Sequence, residues 1–189
     1  SGLFDRDSDH GPESGSMRSD SLKPLDGIPR PKVDPADSSA ALISAASAVG
    51  DPTRRLAMFD MALRKNPDSI ELKLRRLDEL IALGRSSDIE RTLIELQKTH
   101  PRDWRLAWYR GRAMLAEGRT QETLKAFEQI LDELPGELAP KQAMGRAYEL
   151  QGEVALAAAY YDAVSKVDAS FTSAAFGLAR CREIQKNRA

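Results

Sequence analysis

Of the two side chains most characteristic of nucleophilic and transition-metal sites, this 189-residue chain has one cysteine, Cys181, and two histidines, His10 and His100. A protein metal site needs three or four N, S or O ligands at set spacing, and a lone cysteine excludes an internal disulfide framework. Cys181 lies between Arg180 and Arg182, cations that lower a thiol pKa when they reach it. Helix neighbours in sequence point to different faces, however, so a buried, inert thiol is the plainer expectation. His100 directly precedes Pro101 at an expected helix end, where an imidazole complements the helix dipole. Carboxylate pairs such as Asp132 and Glu133 have no histidine or nucleophile near them in sequence to work with. Neither a glycine-rich phosphate loop, a kinase catalytic-loop sequence nor an Asp-Phe-Gly triplet occurs. The chain is expected to have no catalytic, cofactor-binding or metal-binding residues.

What remains is recognition chemistry. Arg112, Arg146 and Arg180 recur at one spacing, with Ser44 and Asp78 at the two preceding steps. Three guanidinium groups in register could bridge a carboxylate or phosphate through charge-assisted, bidentate hydrogen bonds. Trp108 and Phe176 each stand four positions before an arginine of the series. That is one helical turn, a natural place for an aromatic interface anchor. The bland reading stands beside this one. Arginine is an ordinary helix former, a groove position without a partner is simply solvated, and Trp104 and Trp108 could pack between repeats.

The elements that position these residues follow from a period. Gly50, Gly84, Gly118 and Gly152 are 34 residues apart, as are Pro67, Pro101 and Pro135. Phe59, Leu93, Phe127 and Tyr161 keep the same step, so the period belongs to packing as well as to turns. Between each Gly and the following Pro there is room for one helix of about four turns, and between Pro and the next Gly for another. The unit is a helix pair. Such a pair cannot bury its own apolar face and uses its neighbours as the rest of its core. The frame gives units at 36–69, 70–103, 104–137 and 138–171, with a further helix from about 172 to 187. Asp34-Pro35 is expected to open the folded part, with Asp capping and Pro at the first helical position.

Residues 1–34 differ. Gly11, Pro12, Gly15, Pro24, Gly27, Pro29 and Pro31 stand among Ser, Asp and Arg without apolar periodicity, the mark of a linker or arm. Its few apolar residues, Leu3, Phe4, Leu22, Leu25 and Ile28, could anchor it on a neighbouring surface; a disordered tether is the alternative. Basic residues (28) and acidic residues (29) nearly cancel, so no global field draws the chain onto nucleic acid or an acidic membrane. Its apolar runs are far too short to span a bilayer. With no basic start followed by an apolar stretch, a cytoplasmic location is expected.

The 34-residue frame resembles the tetratricopeptide repeat (TPR), with Gly111, Gly145 and Ala179 at the close-contact position and Ala157 and Tyr161 fitting the second helix. Arg55, Ile89 and Thr123 depart from its usual small residue. The resemblance implies an all-α fold: a TPR-type α-α superhelix, a right-handed helical-hairpin solenoid of four helix pairs plus a final helix. It also places Ser44, Asp78, Arg112, Arg146 and Arg180 on the concave face. The family's Lys and Asn clamp for acidic C-termini is missing here. More closely, residues 103–118, 134–150 and 173–180 resemble the C-terminal repeat region of actinobacterial serine/threonine protein kinase G, and VDPAD (33–37) resembles its start. That resemblance implies a parent with a rubredoxin-like module and a kinase domain, neither of them in this chain. It implies a regulatory docking domain that recruits a forkhead-associated-domain regulator of 2-oxoglutarate metabolism and supports kinase stability and dimerisation; the arginine series separately suits an acidic or phosphorylated segment of a partner. The competing role is a scaffold that stabilises its own kinase domain or forms a homodimer, with no separate ligand.

Overall fold

The computed structural model describes residues 2–5 and 23–188. Two compact bodies are distinguished, residues 33–113 and residues up to Lys32 together with Met114 onward.

The 33–113 body holds α1 (Ala40–Ser47), α2 (Pro52–Lys65), α3 (Ile70–Ala82), α4 (Ser86–Thr99) and most of α5 (Trp104–Ala116). Its helix starts are written in the sequence. Asp51 accepts the Thr53 N–H at 3.0 Å with Pro52 in the first turn, and Ser69 accepts the Leu72 N–H at 3.2 Å. Asp103 accepts the Arg105 N–H at 2.9 Å, satisfying amides that have no partner within the helix. Asp34-Pro35 behaves otherwise than expected. Asp34 accepts the Ala36 N–H at 2.9 Å and Asp37 the Ser39 N–H at 2.7 Å. These two successive side-chain turns compete with helical hydrogen bonding, and α1 begins only at Ala40.

The other body contains a two-residue antiparallel pair, β1 (Phe4–Asp5) with β2 (Arg30–Pro31). With it are α6 (Thr120–Glu133), α7 (Leu138–Leu150), α8 (Val154–Val167) and α9 (Thr172–Arg188). Its core gathers Val154, Ala157, Tyr161, Val164, Phe171, Ala174 and Cys181 from α8, α9 and the turn between them.

Three of the four periodic glycines act as the spacing predicts. Gly84, Gly118 and Gly152 have φ of 65°, 75° and 79°, and each is followed by the same closure. Arg85, Arg119 and Glu153 donate N–H groups to Leu80, Met114 and Tyr148 at 2.9, 2.9 and 3.0 Å, a left-handed helix end that glycine adopts without penalty. Gly50 is not in that region; after the short α1 the chain turns directly into the Asp51-Pro52 start. Phe59, Leu93, Phe127 and Tyr161 are all buried.

Candidate functional site

Several charged residues of the first helices are partnered by the fold. On α3, Asp78 is buried and accepts hydrogen bonds from Arg112 Nη1, from the Tyr109 hydroxyl at 3.1 Å and from Arg75 at 3.2 Å. The Arg112 guanidinium also sits 5.5 Å from the Tyr109 ring centroid, an attractive placement. Burial, and then the Asp78 charge, push the Tyr109 hydroxyl well above its ordinary pKa, so it stays a neutral donor. Two expected groove positions one repeat apart, Asp78 and Arg112, therefore meet each other. Glu71 and Arg105 do the same at 2.5 Å, and Arg55 reaches Glu79 at 2.7 Å and the Val49 carbonyl at 2.5 Å. Such pairing offsets the cost of taking charge out of water. Trp108 has no exposed surface, whereas Ser44 is exposed.

A denser network lies in the other body, between α7, α8 and α9. Glu149 accepts from Arg180 Nε at 2.8 Å and Nη2 at 3.0 Å, from Arg146 Nη1 at 3.1 Å and from the Tyr161 hydroxyl at 2.6 Å. Burial would raise the Glu149 carboxyl, but hydrogen bonds from Arg180 and Tyr161 and both arginine charges outweigh it and hold the group below its ordinary range. Tyr161 is raised by burial and by Glu149. Its ring is clasped between two glycines: a Cβ on Gly145 would lie 2.8 Å from it, and one on Gly177 2.5 Å. Cys181 has no exposed surface, and burial, then the Glu149 charge, push its thiol up to about 11, so the neighbouring arginines do not activate it.

Arg146 has a further set of partners. Its Nη2 donates to the Lys23 carbonyl at 2.8 Å and its Nε to the Pro24 carbonyl at 3.3 Å, while Gln142 Nε2 reaches the Gly27 carbonyl at 3.5 Å. Residues 23–27 of the arm thus lie against α7. Gly27 has φ +75°, and a Cβ there would stand 2.7 Å from Ser173 Cβ on α9, so this position needs glycine for conformation and for space. Phe4 and Ile28 are buried, as anchors of the arm. Leu3 is 42% exposed, and its N–H donates to Glu137 at 3.2 Å; Leu22 falls outside the described residues.

Of the expected partner-binding residues, Asp78, Arg112, Arg146 and Trp108 are buried, Arg180 keeps 23% of its side chain exposed, and Phe176 is 48% exposed. Glu149 brings Arg146 and Arg180 together. Sequence spacing missed Glu149, Gln142, Ser173, Gly27 and Gly177. Only Glu149 carried a usable signal, three residues after Arg146 as Asp78 is after Arg75. A separate cleft of about 420 Å³ between α2, α3 and α4 is lined by Lys73, Arg76 and Arg91, but Arg76 and Arg91 are paired with Asp60 and Asp88. Among the described residues, no group of three His, Cys, Asp or Glu side chains could hold a metal ion, and no helix is long and apolar enough to cross a membrane.

Helix hairpins closed by left-handed glycines every 34 residues, with large apolar residues buried at the same step, define a tetratricopeptide-type repeat protein. The fold resembles that of MamA 41-end from Desulfovibrio magneticus RS-1, with a TM-score of 0.53 over 78% of this chain and 93% of that one, at 13% identity. The chain belongs to the protein kinase G tetratricopeptide repeat family, whose model matches residues 11–189. It is 32% identical over 185 residues to serine/threonine-protein kinase PknG of Mycobacterium leprae, and 32% identical over 169 residues to that of Mycolicibacterium smegmatis. Those alignments take in 92% and 85% of this chain but 24% and 22% of the two relatives. The repeat model covers nearly all of the chain, which spans about a quarter of the length of these relatives.

Proposed function

We propose that this repeat domain is the docking module of a larger serine/threonine protein kinase, recruiting a protein partner to it. One observation carries the reading: the face made by α7 and α9 already seats a peptide segment, holding its main chain through Arg146 and Gln142. Phe176 stands on α9 one turn after Ser173 and one before Arg180, exposed beside that face. It supplies the aromatic anchor, and Arg180 is the member of the arginine series that an acidic or phosphorylated group on the partner reaches first. The partner class implied by the resemblance is a forkhead-associated-domain regulator of 2-oxoglutarate metabolism.

Titrating such a regulator into the chain by calorimetry tests the reading. Saturable binding that weakens at least tenfold with Phe176→Ala, at unchanged thermal midpoint, is expected. No binding to the chain, or none altered by Phe176→Ala, would overturn it. A homodimer through the same exposed face is the competing outcome, and a concentration-dependent sedimentation coefficient abolished by Phe176→Ala would establish it instead.

A further inference from the structure

The arm is held in a manner that shows what the α7–α9 face takes. Three of its contacts are made by main-chain carbonyls, those of Lys23, Pro24 and Gly27. They specify a turned backbone, with Gly27 at φ 75°, rather than any side chain. Sequence enters at two adjacent positions. Gly27 must lack a Cβ to lie against Ser173, and Ile28, 3% exposed, is the buried apolar anchor. The segment is locally preformed, since Asp26 and Ile28 donate N–H groups to Lys23 and Leu25 at 3.1 Å. The β1–β2 pair and the Lys32 N–H bond to the Leu3 carbonyl at 2.8 Å close it off.

The same contacts are separable from the helices beneath. Among the described residues, the apolar cluster of α8, α9 and the turn between them draws on no residue of the arm. Arg146 is also paired with Glu149 at 3.1 Å, so the carbonyls are not its only charge-compensating partners and departure of the segment is expected to leave no uncompensated buried charge. The bonds at stake are two carbonyls on a cation and one on the Gln142 amide, replaceable by water or by another backbone. The segment also lies 115 to 123 residues from Gln142 and Arg146 in sequence, so it docks as a tethered ligand and not as a local turn.

We propose that the α7–α9 face is a peptide site that reads main-chain carbonyls and a glycine–apolar step, and that Lys23–Ile28 is its built-in occupant. A partner segment of the same chemistry, a turned stretch with glycine before a β-branched apolar residue, binds by displacing it. The inference rests on the docking reading above and adds to it the ligand class and a gate.

The test uses the full chain and a fluorescein-labelled peptide, Lys-Pro-Leu-Asp-Gly-Ile-Pro-Arg-Pro, copied from residues 23–31. Gly27→Val in the chain expels the tethered segment, so the peptide should bind this variant at least tenfold more tightly than wild type by anisotropy. Adding Arg146→Gln should weaken that binding at least tenfold, as should valine in place of the glycine in the peptide. Equal affinity for wild type and variant, or indifference to the peptide's own glycine, would overturn the proposal. Should Gly27→Val fail to fold by circular dichroism, hydrogen exchange on the wild-type chain decides. Excess peptide should accelerate exchange at Asp26 and Ile28 several-fold while α7 stays protected, and unchanged exchange would reject displacement. Peptide binding without regulator binding rejects the partner class alone. Regulator binding that ignores Gly27→Val rejects the gate and leaves docking intact.

Discussion

Gly177 is the most discriminating single position for the packing described above. It lies inside α9, where replacing glycine by alanine ordinarily stabilises a helix by about 1 kcal/mol. Here the added Cβ would stand 2.5, 2.6 and 2.7 Å from three atoms of the Tyr161 ring, against a normal carbon separation of about 3.5–4.0 Å. The ring has nowhere to go. On its other side a Cβ on Gly145 would already lie 2.8 Å from it, and the hydroxyl is held to Glu149 at 2.6 Å. Overpacking of this kind costs about 1–3 kcal/mol, and three contacts this short put Gly177→Ala near the top of that range. After the helix-propensity gain the net loss is about 2 kcal/mol, or a midpoint about 4–8 °C lower for a domain of this size. Thermal unfolding followed by circular dichroism measures it. In a Tyr161→Leu background the clash is relieved, so the same substitution should be neutral or stabilising, with a coupling of about 2–3 kcal/mol across the double-mutant cycle. A rise in midpoint with Gly177→Ala alone, or equal shifts in both backgrounds, would refute the clasp.

Other positions make independent claims. The folded-state pKa of Glu149 lies below its ordinary 4.5. Its stabilisation is therefore fully present above about pH 4.5 and lost as pH falls through the folded value. Glu149→Gln, which removes one partner of Arg146 and Arg180, should cost about 3 kcal/mol at neutral pH. That difference should shrink below about pH 4 in urea titrations; a pH-independent difference contradicts the pairing. Cys181, buried and with its thiol pushed up to about 11, should resist a thiol reagent at pH 8 in the folded chain and react once denatured; stoichiometric reaction while folded refutes its burial. Gly118, at φ 75° with open space around it, should lose about 1–2 kcal/mol on replacement by alanine, and valine should cost more. Both losses arise from backbone conformation alone, and a stability equal to wild type in chemical denaturation argues against the left-handed closure.

The sequence by itself determined the helix-hairpin class and the family. The signals for these act over a few residues: a left-handed glycine ends a helix, Asp or Ser caps the next, and a large apolar residue at a fixed step must be buried. Phe59, Leu93, Phe127 and Tyr161 are legible in this way because burial follows from residue type and repeat position. Side-chain partnership is not legible so easily. Arg112, Arg146 and Arg180 form one series in sequence, yet each guanidinium ends on a carboxylate of a neighbouring turn or helix, Asp78 or Glu149. Spacing places an arginine on a helix face; it does not say whether an acid arrives opposite. The arm makes the same point over a longer distance. Its prolines and glycines marked a break in periodicity, but only the tertiary structure brings the Lys23 carbonyl to Arg146, 123 residues on, and Gly27 against Ser173. Those contacts rest on main-chain acceptors and on the absence of a side chain, which residue type in the one-dimensional sequence does not disclose.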